Sequence, residues 1–418
     1  MSRSTQLLAL SFYYPPANNP RAVQVARLLG HSHASTVLVC ADYHPTDDRT
    51  DPLQSPLAED SLQKCLRVPF SQPAWKSASA RVANKAGILL WDKTPDRYRD
   101  WKPAVMKALS DLRTAGQFNP DVLVTFGSPM SDHLIGLEIS RKYRLPWIAH
   151  FSDPWVENPF KDHSWFTKAV NLSLERKVAE AANLLIFTSD ETVELVMSKY
   201  SNKLRAKARV LPHAYEEKLY ERQADNGSRI TIRHVGDLYG RRTPAPLFRA
   251  LERIVSTNPD LLSNVCFELV GSTYDLKLND MGLDKLPAGL VAFRPTVSYL
   301  ESLLLMTSAD GLLVIDAPAA LSVFLPSKLI DYIGAGRPIL GITPPGAASN
   351  LISELGGWVT DPTDALGTEK AVSSFVSLLR DSSKDVRECW GQPQVRKRFE
   401  GATVAKKFEE MIDEVQSR

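Results

Sequence analysis

The chain has 418 residues, 44% of them hydrophobic, with 50 Lys and Arg against 48 Asp and Glu. That length suits two domains of about 200 residues, each large enough for its own core. The net charge of +2 excludes the strong positive field of a nucleic-acid binder.

Residues 7–12 are a short apolar run that leads straight into Tyr13, Tyr14, Pro15 and Pro16. This predicts a buried first strand rather than a secretion signal. Further apolar runs fall at 36–40, 65–68, 122–126, 147–151, 184–188 and 209–211. Helical patterns intervene at 21–29, 131–143, 166–182 and 191–200. Thr188 and Glu191 have capping-box spacing for the last of these. Strand runs without alternation, separated by helices, predict a parallel sheet covered on both faces. Residues 64–107 carry ten Lys/Arg and three Asp/Glu, interleaved with Trp75, Trp91, Tyr98 and Trp101. Basic residues among such aromatics predict peripheral contact with an anionic membrane surface. The alternative is an exposed helix pair with ordinary core tryptophans.

The pattern pauses near Pro212 and the polar stretch 222–229, then restarts. Strands are expected at 231–235, 267–270, 291–293, 312–315, 339–342 and 358–360, with helices between them and a closing helix over 396–415. The longest apolar stretch, 303–315, is broken by Asp310 and is too short to cross a bilayer. Cys40, Cys65, Cys266 and Cys389 lie far apart without metal-ligand spacing, which predicts reduced thiols in a cytoplasmic protein. The expected fold class is α/β: two Rossmann-like doubly wound domains facing across a cleft. They span residues 1–213 and 214–395, with 396–418 packing back onto the first. His213 reads as structural, at the hinge. In such sheets ligands bind beyond the carboxyl ends of the strands.

The most informative segment is 325–340. Pro326 suits a first helical position, because its missing N–H would be unpaired there. First-turn N–H groups near Ser327 and Lys328 then offer an anion site, and Lys328 adds a full positive charge. Asp331 follows about one turn on, on roughly the same face. A cation for phosphate beside a carboxylate for ribose hydroxyls suits a nucleoside diphosphate. Gly336 can end the helix, and Pro338 prevents its continuation. Elsewhere, Gly271 after a strand would let a ligand's phosphates approach closely, or is simply a turn glycine. Arg294, Thr296 and Val297 follow another strand end and would frame a base through backbone groups. Asp153 follows the 147–151 run; it would orient or deprotonate a substrate hydroxyl, with a turn or cap role as the alternative. His150 is the second candidate, although alternation from Trp147 also fits a core histidine.

Four segments, in order across nearly the whole chain, resemble the GT-B-fold glycosyltransferases, close to the retaining glycosyltransferase family 4. Tyr14, Pro15, Pro16, Ala17, Asn18, Asn19, Pro20 and Arg21 resemble the acceptor-side loop after the first strand. Asp153, Pro154 and Trp155 resemble an Asp-Pro-Trp motif of members that extend bacterial surface glycans. Gly236 to Arg242 resembles the opening loop of the donor domain, and the stretch around Lys328 and Asp331 the donor-site helix. Asn18 and Asn19 stand where the family has glycines; asparagine tolerates positive φ better than most residues. The family's Glu-x7-Glu pair is incomplete, with Asp331 second and Phe324 first. Asp237 follows Gly236, so the first cation of the family's Arg…Lys phosphate pair is missing. Phosphate contact passes to Arg242, with Arg241 beside it, together with Lys328. Asp96, Arg97 and Trp101 are similar to a pattern in members that use undecaprenyl-linked or other membrane glycan acceptors.

The resemblance implies transfer of a sugar from a nucleotide-diphosphate sugar to a glycan or lipid-linked acceptor, with retention of configuration. Its setting would be bacterial polysaccharide or glycolipid biosynthesis at the inner face of the plasma membrane. No Asp-x-Asp motif sits in a suitable place, so no essential metal and no cofactor beyond the donor is expected. A nucleotide-sugar 2-epimerase of the same fold, or a catalytically silent GT-B binding module, are the alternatives.

Overall fold

The computed structural model describes residues 4–42, 62–70, 94–117, 119–158, 164–220, 229–273, 276–381 and 390–417. The chain forms two compact units, Met1–His213 with Gly401–Arg418, and Ala214–Glu400.

The first unit is built on seven parallel strands: β1 (Gln6–Leu10), β2 (Ser35–Ala41), β3 (Lys64–Val68), β4 (Val122–Gly127), β5 (Trp147–Phe151), β6 (Leu184–Phe187) and β7 (Ala208–Val210). Their order is β3-β2-β1-β4-β5-β6-β7. Most of these strands are apolar throughout because helices cover both faces of the sheet. Phe12, Trp101, Trp147 and Trp155 are fully buried around it. The winding reverses between β1 and β4, which pair directly.

The helix Gly401–Gln416 belongs to this unit. Its buried residues Val404, Ala405, Phe408, Ile412 and Val415 form one stripe, laid against the helix Pro20–Gly30, β4 and β5. Each of the larger side chains, Val404, Phe408, Ile412 and Val415, contributes about 2 kcal/mol when fully buried. Arg209 of β7 and Glu414 of this helix also pair, at 2.6 Å.

The second unit has six parallel strands: β8 (Ile230–Val235), β9 (Val265–Val270), β10 (Val291–Arg294), β11 (Gly311–Ile315), β12 (Ile339–Ile342) and β13 (Trp358–Thr360). They are ordered β10-β9-β8-β11-β12-β13. Helices Ala245–Thr257 and Ala365–Asp381 cover one face through Leu247, Phe248, Val372 and Phe375. Helices Tyr299–Thr307, Ser327–Ala335 and Ala347–Glu354 cover the other through Leu303, Leu329, Ile333 and Ile352. Here the winding reverses between β8 and β11.

Several local expectations are corrected. Ser189, not Thr188, caps its helix, accepting the Thr192 N–H at 3.1 Å from an extended backbone. Pro326 is the cap of its helix rather than the first helical residue, and its carbonyl accepts the Leu329 N–H at 2.9 Å. The closing helix is broken into Pro393–Lys397 and Gly401–Gln416, because Phe399 turns its carbonyl to the Tyr215 N–H at 2.9 Å.

The loop after β1 uses no left-handed residue at Asn18 or Asn19. Asn19 is extended, at φ −147°, and its side chain caps the Arg21 N–H at 2.9 Å. Ala17 is buried and offers no side-chain surface to a ligand.

Of the stretch 64–107, residues 71–93 lie outside the described residues, Trp75 and Trp91 among them. Tyr98 and Trp101 pack around Phe12 in the core, so these two aromatics do not form a membrane face. Asp96 reaches the start of the helix Ser131–Tyr143, accepting the Ser131 N–H at 3.0 Å. Cys389 lies outside the described residues, whereas Cys40 and Cys65 meet across β2 and β3 as free thiols 3.6 Å apart. Among the described residues no helix is long and apolar enough to cross a membrane.

Candidate functional site

The reversal between β8 and β11 leaves an opening at the carboxyl ends of the strands, where open α/β sheets bind ligands. Gly236 directly follows β8 and Gly271 directly follows β9. They follow the last registered pair, Val235 and Val270. The Gly236 N–H donates to the Val270 carbonyl at 2.7 Å. Both glycines have left-handed φ, 138° and 131°. A Cβ on Gly271 would lie 2.7 Å from the Gly236 carbonyl, so only glycine lets these strand ends touch.

Lys328 reaches this floor from the helix Ser327–Ala335. Its Nζ lies against the α-carbon of Gly236, where any side chain would strike it. Tyr332, one turn on, fixes the helix: its hydroxyl accepts the Val235 N–H at 2.8 Å and donates to the Leu313 carbonyl at 3.2 Å. Thus one side chain ties the helix to both β8 and β11. Ser327 and Pro326 are half-buried at its start.

Arg242 returns to the same strand ends through a turn in which its N–H donates to the Tyr239 carbonyl at 3.0 Å. Its guanidinium stacks on the Tyr239 ring at 5.4 Å. Nη2 and Nε donate to Asp316 Oδ1 at 2.9 and 3.3 Å. Asp316 follows β11, is 2% exposed, and also accepts the Ala317 N–H at 2.9 Å. Asp237 Oδ1 accepts the Ser272 N–H at 2.7 Å.

Burial, with Arg242 adding to it, pushes the Lys328 ammonium down to about 7, against the opposing pull of Asp316 and Asp237. An arriving anion would restore its charge. Burial, and then Lys328, holds the nearby His234 well below the usual histidine range. His234 Nδ1 donates to the Leu313 carbonyl at 3.0 Å, which suits a neutral core residue.

Asp331 is 7% exposed, and its Oδ1 accepts two tyrosine hydroxyls, Tyr220 at 2.7 Å and Tyr299 at 3.2 Å. Arg241 is exposed and lines a cavity of about 200 Å³ with Thr243, Arg249, Asp316 and Thr363. The Arg294 side chain pairs with Glu268 at 3.2 Å, and its carbonyl accepts the Gly271 N–H at 3.0 Å. Thr296, which is exposed, and Val297, which is half-buried, follow that strand end.

In the first unit, His150 and Asp153 lie at the end of β5. His150 is buried, and Arg21 Nη2 donates to its Nδ1 at 2.9 Å. Asp153 is half-buried and accepts the Ser152 hydroxyl at 3.1 Å. Asp132 is fully buried beside the β1 end, accepting the Phe12 N–H at 2.7 Å. Burial raises its carboxyl well above the usual range, with the Phe12 N–H opposing.

Sequence reasoning missed Asp316, Tyr332, Tyr220, Tyr299 and Asp132, and it placed Arg21 in the acceptor-side loop without a role for its side chain. Asp316 had a signal: a lone acid directly after the buried run Gly311–Ile315. Tyr220 had none, because its partner lies 111 residues away.

Residues 19–214 match the family described as "Glycosyl transferase 4-like domain". No curated protein matches the chain. Among solved structures, HepE of Anabaena, in complex with UDP and glucose, is similar with a TM-score of 0.66 at 15% identity, covering 98% of this chain and 100% of that one. Sucrose-phosphate synthase from Thermosynechococcus elongatus gives a TM-score of 0.67 at 14% identity, covering 99% of both chains. The lipopolysaccharide outer core galactosyltransferase WaaB gives 0.59 at 12% identity, covering 98% of this chain and 99% of that one. At these identities the likeness is one of fold: two doubly wound α/β domains of the GT-B class.

Proposed function

We propose that the protein is a glycosyltransferase that moves a sugar from a nucleotide-diphosphate sugar to a hydroxyl of a glycan or lipid-linked acceptor. The observation that carries this reading is the convergence of Lys328 and Arg242 at the reversal of the second sheet, over the touching glycines Gly236 and Gly271.

Breaking the bond between the anomeric carbon and a diphosphate oxygen places growing negative charge on the leaving group. Fixed cations stabilise that charge most in the transition state. Arg242 offers a planar fork already oriented by Asp316, and Lys328 offers a point charge. The two cations supply the charge, so no resident metal is invoked. Asp331, oriented by Tyr220 and Tyr299, is assigned to the ribose hydroxyls. The backbone near Thr296 and Val297 is assigned to the base. Phe324 in place of an acid implies fewer polar contacts to the sugar.

Asp153 and His150 of the first unit are the acceptor-side candidates. Retention, by front-face displacement with the leaving phosphate receiving the acceptor proton, is carried over from the resemblance. So are a cytoplasmic setting, contact with the membrane and a role in bacterial polysaccharide or glycolipid synthesis. The match of residues 19–214 and the fold shared with a UDP-bound HepE support the transfer reading.

Incubation with a panel of UDP-, GDP- and TDP-sugars tests it. Slow release of free nucleoside diphosphate from one donor is the expected result. Interconversion of the sugars would instead identify an epimerase, and no binding at all a silent module.

A further inference from the structure

We infer that Arg21 is a positioning residue that locks His150 as a hydrogen-bond donor, with its proton on Nε2, and so removes it as a base. Arg21 Nη2 lies 2.9 Å from His150 Nδ1 and 3.0 Å from the His150 carbonyl oxygen. A guanidinium nitrogen can only donate. Nδ1 is therefore an acceptor, and the proton of the neutral ring sits on Nε2. One amino group holds both the ring and the backbone of the same residue, so the ring cannot turn without breaking a bond to a buried charge.

Arg21 is itself fixed. It is 5% exposed, its N–H is capped by Asn19 at 2.9 Å, and its guanidinium lies over the Phe126 ring at 5.4 Å. Nη1 reaches Gln24 at 3.4 Å. Among the described residues it makes no ion pair; Asp153 and Asp132 act on it from beyond contact distance. A buried guanidinium without a carboxylate partner is costly, and packing alone would be served better by an apolar side chain.

Protonating His150 would require Nδ1 to give up Arg21 and would set two positive charges side by side. Burial first, then Arg21, His213 and His133, hold the ring well below the usual histidine range. These three groups, from the helix Pro20–Gly30, the segment after β7 and the helix Ser131–Tyr143, are the ones that bear on it. His133 and His213 are themselves neutral, burial pushing each down to about 3. Nε2–H is the atom left for a substrate oxygen, and the acceptor proton goes to another group. That consequence rests on the glycosyl-transfer reading, whereas the tautomer does not.

Long-range nitrogen–proton NMR on protein labelled at histidine nitrogens, with His150 identified by the signal lost in His150→Asn, tests the inference directly. The wild type should show one neutral tautomer, protonated at Nε2, from about pH 5 to pH 8. In Arg21→Met, which keeps the bulk and removes the donor, the two neutral tautomers should mix, while burial still holds the ring below the usual histidine range. Arg21→Lys, which keeps a charged donor, should restore the single tautomer. On the active donor, Arg21→Met should lower kcat about 10- to 100-fold with little change in KM, and Arg21→Lys should recover most of it. A wild-type His150 that titrates within that range, or carries its proton on Nδ1, overturns the inference even if Arg21→Met fails to fold. A spectrum as expected from a protein that transfers no sugar overturns the functional reading and leaves the tautomer standing.

Discussion

Arg242 and Asp316 form the hinge of the proposed donor site: two guanidinium N–H groups converge on one carboxylate oxygen at 2.9 and 3.3 Å. The acid is buried and the arginine is 16% exposed, so the pair is held rigidly, and among the described residues no carboxylate but Asp316 pairs with the fork, whose other edge can meet an anion. Asp316→Asn should leave the fold intact while loosening Arg242. Steady-state kinetics should show a fall in kcat/KM of about 10- to 100-fold, on the order of 1.4–2.7 kcal/mol. An unchanged value would mean that Arg242 needs no such support.

Lys328 makes donor binding pH-dependent. Its ammonium stands at about 7 in the free protein and should rise when a diphosphate neutralises its surroundings. The bound state therefore holds the proton more tightly. Affinity should be highest below about pH 7 and fall as pH rises through that value, with proton uptake on binding at about pH 8. Calorimetry in two buffers of different ionisation enthalpy checks this, since the apparent heats should differ.

Gly271→Ala should damage the site through the backbone. Its φ of 131° strains any side chain, and the new Cβ would sit 2.7 Å from the Gly236 carbonyl. A stability loss of about 1–3 kcal/mol is expected, read from the urea midpoint, together with weaker nucleotide binding.

Tyr220→Phe removes the shorter of two hydroxyl donors to Asp331. The cost to stability should be about 1 kcal/mol. Because the carboxylate would then be less well oriented, nucleoside diphosphates should bind more weakly while a sugar phosphate lacking the nucleoside should be unaffected. Competition binding with both ligands separates these outcomes.

The parallel sheets were legible because strands covered on both faces leave unbroken apolar runs, as at Leu184–Phe187 and Gly311–Ile315. The helix around Lys328 was legible because Pro326, Gly336 and Pro338 punctuate it within a short span. Boundaries were harder. Ser189 rather than Thr188 caps its helix because the cap is decided by which residue turns extended, and composition does not show that. Tyr98 and Trp101 looked interfacial among basic neighbours but pack on Phe12, a contact made across more than 80 residues. For the same reason Tyr220 went unseen and the Arg21 side chain had no visible role: each matters through a partner brought near only by folding.

Calorimetric titration of UDP, GDP and TDP into the wild type, Lys328→Ala and Arg242→Ala tests the central claim most directly. At least one diphosphate should bind the wild type and lose about 3 kcal/mol of binding free energy in each variant, by analogy with the loss of a fixed oxyanion donor. Equal affinity in all three proteins would contradict the account.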